Sequence, residues 1–426
     1  MSKYQAIRGT KDILPAESVQ FQRLESAARA LFARYGYAEI RTPTFEAVDL
    51  FQRSLGETTD VVQKEMYLFE DRGGRKLALR PEGTAGVVRA FIEHHLSQSL
   101  PYCKLFYVGP MFRAERPQAG RYREFWQIGA EYFGNAGPAA DAELLALVDA
   151  LFLALDIRDV RLRINSIGDQ ECRPKYLAAL RTYLTKRSVE LCEDCQRRLD
   201  KNPLRALDCK TDSPKLKDAP TIDAYWCAPC RAHFAAVGQL LTDSHVAFET
   251  DPRLVRGLDY YTRTIFEVTT KVLGAQDALA AGGRYDKLVK DLDGPDVPAL
   301  GFAMGMERTI QASQAAAPKI VTATPFVFVA AMGEAASRVA YQTLQMLRHS
   351  PELVKINLRA EGDFFEKKLG AQLTIADRIG ATHCVILGED EVQKGEVTLR
   401  TMNTSSQERL AQKDLVSKLL AVSNLA

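Results

Sequence analysis

Four arginines lie close together in the stretch "MFRAERPQAGRYREFWQIGAE", residues 111–131. A planar guanidinium keeps its charge at neutral pH and gives paired hydrogen bonds to phosphate or carboxylate oxygens. The stretch could therefore hold a polyphosphate, but a solvated hairpin with surface ion pairs would account for the same residues. The four arginines are Arg113, Arg116, Arg121 and Arg123.

The basic residues do not form a field over the whole chain, since 56 Lys and Arg face 54 Asp and Glu, for a formal net charge of +2. This balance excludes a non-specific nucleic-acid coat, so any polyanion has to be bound locally. The sequence contains no Walker-type phosphate loop and no dinucleotide-binding fingerprint. A nucleotide would have to be held by side chains such as these arginines.

The composition indicates a globular protein with a large core, because 46% of its 426 residues are hydrophobic. No apolar run approaches the roughly 18 residues of a membrane span, and the N-terminus lacks the apolar segment of a secretory signal. We expect a cytoplasmic protein with no membrane partner. Its 8 cysteines should then be thiols or metal ligands rather than disulfides.

The elements that must position the arginines are a helix, an extended segment and a hairpin. Residues 17–34 have a helical pattern, and "YAEIRTPTFE" (37–46) is extended because Pro43 stops a helix. The stretches "KLFYVGPMFR" (104–113) and "FWQIGAEYF" (125–133) are aromatic and β-branched. They predict two antiparallel strands joined by the arginine-bearing loop.

The sequence as a whole predicts three domains. Residues 1–170 and 251–318 form one domain, and the helical, charged, cysteine-bearing residues 171–250 are inserted into it. A linker, "ASQAAAPK" (312–319), leads to a small α/β domain at 325–426, where strands and helices alternate.

Four separated stretches are more specific when they are considered together. In chain order they are "ALRPEGTAG" (78–86), the arginine hairpin, "LVRGLDYYTRTIFE" (254–267) with "AAGGRYD" (280–286), and "GFAMGMER" (301–308). This set resembles the bacterial histidyl-tRNA synthetases, which are class II aminoacyl-tRNA synthetases, over nearly the whole chain. "YAEIRTPTFE" resembles class II motif 1, the hairpin motif 2 and "GFAMGMER" motif 3.

The resemblance implies an α/β protein with an α+β catalytic core, in which an antiparallel sheet is flanked by helices. It also implies a helical insertion domain, a C-terminal α/β anticodon-binding domain and a homodimer. The substrates would be L-histidine, ATP with Mg²⁺, and histidine tRNA. Histidine would be activated as its adenylate and then transferred to the 3′ end of the tRNA.

The resemblance assigns ATP to arginines and one aromatic ring. Arg113 would grip the α-phosphate and Arg308 the γ-phosphate. Arg121 would contact the triphosphate, and Phe125 would stack on adenine. Arg256 would stabilise the reacting carboxylate and phosphoryl oxygens, so that Arg256 and Arg113 are the expected catalytic residues.

The resemblance also assigns a histidine pocket and a contact to the tRNA acceptor end. The pocket residues would be Glu82, Thr84 and Gln127 around the ammonium group, Glu131 and Tyr261 at the ring nitrogens, and Tyr285 in the wall. The residues that face tRNA or have a structural role would be Arg116, Gln118 and Arg123. From the residues alone, the favoured interpretation is that Glu82 and Glu131 are ordinary salt-bridge partners of nearby arginines.

Two Cys-x-x-Cys pairs in the expected insertion have a spacing that suits tetrahedral zinc. They are Cys192 with Cys195 and Cys227 with Cys230, with Cys209 between the pairs and His233 just beyond. The resemblance implies no dependence on zinc, so reduced, metal-free packing is favoured over a structural zinc ion.

A rival interpretation is a non-catalytic paralogue, the regulatory subunit of ATP phosphoribosyltransferase, which binds histidine without charging tRNA. Arg256 within "RGLDYY" and the full C-terminal domain favour the synthetase. A nucleotide-binding interaction module without a reaction would not explain why ATP-facing arginines accompany a histidine-shaped pocket.

Overall fold

The structure is a computed structural model that describes residues 4–56, 59–99, 101–117, 120–274, 277–316, 326–363 and 368–423. The chain divides into two compact units, Met1–Pro318 and Lys319–Ala426. The first unit includes residues 171–250, and their standing as a separate insertion domain stays a prediction. No helix in the described ranges is long and apolar enough to cross a membrane.

Helices and strands alternate irregularly in the first unit and more regularly in the second. The helices are α1 Pro15–Arg34, α2 Val48–Leu55, α3 Thr84–Glu93, α4 Leu96–Ser99, α5 Pro138–Ala154, α6 Arg173–Lys186, α7 Glu193–Arg198, α8 Ala228–Asp243, α9 Leu288–Asp291, α10 Met306–Ala316, α11 Glu334–His349, α12 Pro351–Lys355, α13 Leu369–Arg378, α14 Glu389–Lys394 and α15 Leu415–Ser423. The strands are β1 Ala38–Glu39, β2 Phe45–Ala47, β3 Leu68–Glu70, β4 Lys76–Leu79, β5 Cys103–Phe112, β6 Glu124–Phe133, β7 Arg161–Ser166, β8 Glu249–Thr250, β9 Thr262–Thr269, β10 Ala278–Arg284, β11 Ala299–Gly305, β12 Phe326–Ala331, β13 Arg359–Gly362, β14 His383–Leu387, β15 Glu396–Thr401 and β16 Gln407–Ala411.

An eight-stranded sheet forms the centre of the first unit, in the order β1-β5-β6-β11-β10-β9-β7-β8. Its inner pairings are antiparallel, as the sequence predicts. The outer strands β1 and β8 pair in parallel with their neighbours, so the sheet is mixed rather than wholly antiparallel. The predicted fold class, a flanked sheet in a mixed α/β protein, is confirmed. Strands β2, β4 and β3 form a separate small antiparallel sheet.

Side chains alternate between the two faces of the central sheet, because successive residues of a strand point to opposite sides. On β5, Phe106 packs in one core cluster, whereas Leu105 and Tyr107 pack in another. On β6, Ala130 belongs to the same cluster as Phe106, so the next residue, Glu131, faces the opposite side. Every second residue of β6 therefore faces the side where Tyr107 lies.

Helices α1, α5, α8 and α10 cover the first face of the sheet. Helix α1 begins with Pro15 in its first turn, which suits a position where no backbone N–H is required, and its buried side chains recur every three or four residues. Helices α3 and α9 cover part of the second face, with Phe91 and Leu288 in its core. The uncovered part of the second face is a cleft.

Between β7 and its parallel neighbour β8 the chain makes a long helical excursion. This stretch, which the structure describes throughout, contains α6, α7 and α8 with short 3-10 turns and no strand. Helix α8 packs against the sheet through Val237 and Leu241. Helix α6 instead packs through Leu180 and Leu184 in a separate hydrophobic core that is formed largely within the excursion.

The second unit contains a five-stranded sheet in the order β13-β12-β14-β15-β16. Strand β12 pairs in parallel with β13 and β14, and the remaining pairings are antiparallel. The linker predicted at 312–319 begins inside α10, which continues to Ala316 because an alanine-rich sequence favours helix. Residues 317–325 lie outside the described part of the chain.

A fully buried arginine ties the sheet to its covering helices. The guanidinium of Arg284, which ends β10, donates to Asp286 Oδ1 at 3.0 Å and to the carbonyl oxygen of Asn135 at 2.9 Å, and it forms an ion pair with Asp141 of α5. His233 of α8 places Nε2 3.3 Å from Asp141 Oδ2. His233 is thus directed at this ion pair.

Replacing Arg284 with Ala should strongly destabilise the protein, because Asp141 would stay buried without its guanidinium partner. Breaking a buried ion pair from one side costs about 3–5 kcal/mol. The midpoint of urea unfolding should fall clearly. Arg53→Ala removes an exposed ion pair to Asp293 and should leave the midpoint nearly unchanged. Equal midpoints for the two variants would contradict the importance of the buried pair.

Candidate active site

One cleft on the second face of the sheet collects side chains from all four motif stretches. Its lining includes Glu82, Thr84, Arg113, Arg121, Phe125, Gln127, Arg256, Tyr261, Tyr285 and Arg308. Residues that are far apart in sequence therefore meet in one place. The alternation of β6 accounts for part of the set, since Phe125 and Gln127 lie on the same face of that strand, the face to which the buried Glu131 also points.

Glu82 caps the start of α3. Its carboxylate accepts hydrogen bonds from the backbone N–H groups of Thr84 at 2.7 Å and Ala85 at 2.8 Å, where a helix N-terminus favours negative charge. Burial nevertheless raises the pKa of Glu82. Gly83 is required beside it, because a Cβ there would lie 2.3 Å from the ring of Tyr107.

Glu131 is fully buried behind Thr84 and Tyr285, which line the cleft, and is not itself among the described lining residues. Thr84 Oγ1 donates to its Oε1 at 2.8 Å, and the hydroxyl of Tyr285 donates to its Oε2. Burial raises the pKa of Glu131 to about 8. Gly301 lies opposite on β11, where a Cβ would come within 1.8 Å of the Glu131 carboxylate.

Neither Glu82 nor Glu131 has an arginine within ion-pair distance among the residues that the structure describes. The alternative in which both are salt-bridge partners is therefore wrong. Their partners are hydroxyl and backbone N–H groups, which leaves the carboxylates able to accept further hydrogen bonds from a ligand.

Two further side chains complete the polar end of the cleft. The Oε1 atom of Gln127 is buried and accepts no hydrogen bond from any described residue. Burial raises the pKa of Tyr261 to about 12, so its hydroxyl stays protonated at neutral pH. The ring of Tyr260, which sequence reasoning missed, packs 4.7 Å from that of Tyr261, centroid to centroid.

The arginine end of the cleft begins with the hairpin between β5 and β6. Arg113 donates through Nε to the carbonyl oxygen of Pro81 at 2.9 Å, and its guanidinium lies 5.5 Å from the centroid of the Phe125 ring. Arg121 donates to Glu115 Oε2 at 2.6 Å, and Arg113 is 3.8 Å from Glu115 Oε1. Glu115, which was not predicted, thus holds both arginines.

Arg308, at the start of α10, completes this group of cations. It donates to the carbonyl oxygens of Gly120 at 2.8 Å and Ala278 at 3.1 Å. Burial lowers the pKa of Arg308, and the positive charges of Arg121 and Arg113 lower it further. The three guanidinium groups line the same cleft, and like charges placed together favour an anion between them.

Arg256 lies where the cleft meets a neighbouring basin. Its guanidinium donates to Glu267 Oε1, while Arg163 donates to Glu267 Oε2 at 2.5 Å. Glu267 therefore orients Arg256 toward the cleft in the same way that Glu115 holds the hairpin arginines.

The three residues predicted to face tRNA have different positions. Arg116 is exposed on the hairpin. Arg123 is bound to the N-terminal segment instead, since it donates through its backbone N–H to Gly9 O at 2.7 Å and through Nη1 to Arg8 O at 3.2 Å. Gln118 lies outside the described residues.

Glu307 is another functional candidate that the sequence reasoning missed. Its carboxylate lies at the edge of the cleft and accepts a hydrogen bond from the backbone N–H of Trp126 at 2.9 Å. Burial raises the pKa of Glu307 to about 7. Its place beside Arg308 in motif 3 is the signal that could have identified it.

The sheet and the cleft together define the catalytic core of a class II aminoacyl-tRNA synthetase. A pocket with buried carboxyl groups, suited to a small polar molecule, adjoins a group of arginines suited to a polyphosphate, and both lie on one face of a largely antiparallel sheet.

Comparisons with known proteins indicate the same class of protein over nearly the whole chain. A family model described as Histidyl-tRNA synthetase matches residues 9–309, and one described as Anticodon binding domain matches residues 327–422. The chain is 48% identical over 420 residues to the histidine–tRNA ligase of Desulfosudis oleivorans, with 98% of each covered, and 48% identical to that of Syntrophotalea carbinolica, with 97% of each covered. The solved apo histidyl-tRNA synthetase of S. aureus is 35% identical with a TM-score of 0.82, covering 98% of this chain and 100% of that one. The chain belongs to the histidyl-tRNA synthetase family.

The buried carboxyl of Glu131 should make stability depend on pH. Its pKa is raised from 4.5 to about 8, so between these values the folded protein binds more protons than the unfolded chain. Its contribution to stability is therefore present at the acid end and is lost as pH rises through this window. Glu131→Gln cannot ionise and should lose less stability than the wild type between about pH 5 and 8.

Thermal unfolding of both proteins at matched pH values measures this difference. Glu93→Gln, which changes an exposed glutamate of α3, is the control and should keep the wild-type dependence. A Glu131→Gln variant with the same pH slope as the wild type would mean that Glu131 is ionised throughout the range.

Proposed function

We propose that this chain is a histidine–tRNA ligase, an ATP-dependent enzyme that activates L-histidine and transfers it to the 3′ end of histidine tRNA. The observation that carries the proposal is the meeting of a hydrogen-bonded, buried carboxylate pocket with three converging arginines in one cleft. The family membership supports the same activity over nearly the whole chain.

The carboxylate end of the cleft suits histidine. Glu131 and the hydroxyl of Tyr261 would bind the two ring nitrogens, and Tyr285, which donates to Glu131, would hold that carboxylate in place. An imidazole N–H is a suitable donor to Glu131. A site built to hydrogen-bond a polar side chain rejects analogues that lack it by about 10⁴ to 10⁵, because its buried groups are then left unpaired.

The α-ammonium group of histidine would lie near Glu82, Thr84 and Gln127. The carboxylate of Glu82 supplies negative charge, and Gln127 Oε1 is a buried acceptor that needs a donor. An ammonium group offers three donors, which matches this set of acceptors.

The arginine end suits ATP. Arg113 would bind the α-phosphate and Arg308 the γ-phosphate, with Arg121 along the triphosphate and Phe125 stacked on adenine. The mutual repulsion of the guanidinium groups supports this assignment, since a polyphosphate would relieve it. ATP would enter as its Mg²⁺ complex.

The first reaction joins the two ends of the cleft. A carboxylate oxygen of histidine attacks the α-phosphorus of ATP, a new oxygen–phosphorus bond forms, and pyrophosphate leaves. Arg113 and Arg256 would stabilise the negative charge that grows on the phosphoryl oxygens. In the second reaction a ribose hydroxyl of the tRNA attacks the histidyl carbonyl carbon, and AMP leaves.

The tRNA would be read at two places. The hairpin, through Arg116 and Gln118, would contact the acceptor end, while the bonds of Arg123 to Arg8 and Gly9 support a role in holding the hairpin. The second unit would bind the anticodon, as the family model for residues 327–422 supports. Bases that are splayed from a loop are usually read by stacking and hydrogen bonds rather than by charge alone.

The regulatory-subunit alternative is less well supported. The relatives at 48% identity carry the name of the ligase, and the arginines expected for ATP are present. The two functions differ in one assay, since a regulatory subunit has no histidine-dependent chemistry with ATP.

Exchange of labelled pyrophosphate into ATP tests the reaction directly. The wild-type protein should catalyse it with L-histidine and not with other amino acids. Arg256→Ala should slow exchange by at least about 10²-fold, because preorganised charge stabilisation is lost while the fold is kept.

Arg158→Ala is the matched control, because Arg158 is an exposed arginine outside the cleft and outside the small sheet, and its exchange rate should equal that of the wild type. Wild-type exchange by Arg256→Ala would remove Arg256 from the proposed role. No exchange with histidine in the unaltered protein, together with histidine binding, would favour the regulatory subunit.

We also propose that the protein is a homodimer. The small sheet formed by β2, β4 and β3 exposes two large apolar side chains on one face, with Phe45 and Phe69 exposed by 51% and 42%. The rings of Phe45 and Phe69 pack 6.0 Å apart, so these two side chains form a patch. An exposed patch of this kind is typical of an interaction surface.

Light scattering should report twice the chain mass of 47.4 kDa for the wild type. The double variant Phe45→Asp/Phe69→Asp should shift toward the monomer mass, because two charges would be buried in the interface. Val189→Asp, at an apolar residue that is 91% exposed elsewhere, should remain dimeric. A monomeric wild type would overturn the proposal, and a dimeric double variant would exclude this patch as the interface.

A further inference from the structure

Six of the cysteines and two aspartates form two separate clusters outside the cleft. The first cluster is Asp169, Cys172, Cys227 and Cys230, and the second is Cys192, Cys195, Cys209 and Asp212. Within each cluster the ligand atoms all lie within 4.8 Å of one another. The two Cys-x-x-Cys pairs that the sequence suggested for one site therefore belong to different clusters. All of these cysteines are free thiols.

The first cluster joins the end of β7 to the start of α8. Cys172 Sγ lies 3.8 Å from Cys230 Sγ and 3.5 Å from Asp169 Oδ1. Cys227 Sγ lies 3.7 Å from the same aspartate oxygen. One carboxylate oxygen and three sulfur atoms thus surround a common centre.

The second cluster joins α7 to the segment after Asp208. Cys192 Sγ lies 3.8 Å from Cys209 Sγ, and the backbone N–H of Cys192 donates to Asp212 Oδ2 at 2.9 Å. Asp212 is fully buried, and Cys195 is almost completely buried. A buried carboxylate beside three thiols is unusual for purely apolar packing of cysteine, because carboxylates are costly to bury without a cation.

The observed spacings match those of a tetrahedral metal site. With Zn–S bonds of about 2.3 Å and Zn–O bonds of about 2.1 Å, tetrahedral geometry places sulfurs about 3.8 Å apart and sulfur and oxygen about 3.6 Å apart. Both sulfur–sulfur distances of 3.8 Å agree with this. The sulfur–oxygen distances of 3.5 and 3.7 Å in the first cluster agree as well.

The order of ligands along the chain is also that of a structural zinc site. Each cluster consists of two ligand pairs, and two residues separate the members of each pair. The first cluster has Asp-x-x-Cys and Cys-x-x-Cys, and the second has Cys-x-x-Cys and Cys-x-x-Asp. Paired ligands at this spacing are the usual way in which short loops close around zinc.

We propose that each cluster binds one Zn²⁺ ion through three cysteine thiolates and one aspartate oxygen. The three thiols of a site lose their protons when the ion binds. Four negative ligands exceed the charge of the ion by two, and each site has a basic neighbour. Arg263 lies 3.6 Å from Asp169, and Lys215 lies 3.1 Å from Asp212.

The first site would fix the backbone that carries Tyr261. Arg173, next to Cys172, donates to the carbonyl oxygen of Tyr261 at 2.8 Å, and the backbone N–H of Arg263 donates to Gly168 O at 2.8 Å. Four protein ligands leave no open position for a substrate. The site is therefore structural, and it acts on the cleft through its neighbours.

The second site would fix residues 196–208, which lie between its ligands Cys195 and Cys209 and contact the loop after Arg256. Within these residues Asn202 donates to Asp259 Oδ1 at 2.6 Å, and Arg205 lies 3.4 Å from Asp60. Leu207 and Asp208 from the same segment line the basin beside the cleft. The first ion would thus link the outgoing and returning chain of the excursion between β7 and β8, and the second would close a shorter loop within it.

Elemental analysis of full-length protein purified without chelator should find two zinc ions per chain. Cys227→Ser should lose one ion by disrupting the first cluster, and Cys209→Ser should lose one by disrupting the second. The double variant should retain neither. Cys103→Ser, which changes a half-buried cysteine of β5 outside both clusters, should keep both ions.

A second measurement on the unaltered chain does not depend on the folding of variants. Protein whose zinc is exchanged for Co²⁺ should show sulfur-to-cobalt charge-transfer bands and the visible bands of tetrahedral cobalt, with an intensity that saturates at two Co²⁺ per chain. Zinc-free protein with no such bands would overturn the proposal in favour of metal-free thiols. One ion per chain that both single variants lose would overturn it in favour of a single shared site.

Discussion

Burial of the Glu131 carboxyl is the constraint on which the cleft depends. A carboxylate is costly in an apolar interior unless hydrogen-bond donors meet it, and here hydroxyls from Thr84 and Tyr285 do so. The missing side chain at Gly301 provides the space. These residues belong to α3, to the turn after β10 and to β11, so the pocket exists only when the central sheet is complete.

At the arginine end of the cleft the constraint is electrostatic repulsion, because like charges are brought together. Glu115 and Glu267 share the task of holding the arginines when no anion is present. Each carboxylate contacts two guanidinium groups rather than one. A phosphate that displaces these contacts would find the cations already oriented, so little ordering would be needed on binding.

Strong local patterns were predictable from the sequence, and tertiary choices were not. The aromatic, β-branched stretches on either side of the arginines became β5 and β6 as expected. Strand β13 begins only at Arg359, because Pro351 starts the short helix α12 just before it. The small sheet escaped notice since its strands have only three or four residues. The residues that would bind substrates were named through resemblance, whereas the role of Glu115 is visible only from the ion pairs that it forms with Arg113 and Arg121. Spacing alone also could not show which cysteines share a cluster.

The first cysteine cluster lies at the neck of the excursion between β7 and β8. Its ligands come from the outgoing and returning chain, with Cys172 and Cys230 58 positions apart. A metal ion there would act as a cross-link that closes a long loop, and closing a loop of this length removes about 4 kcal/mol of chain entropy from the unfolded state. A change in the excursion beyond this cross-link would then not be transmitted to the central sheet. The excursion could lengthen, shorten or open locally while the two sheet strands at its base kept their register.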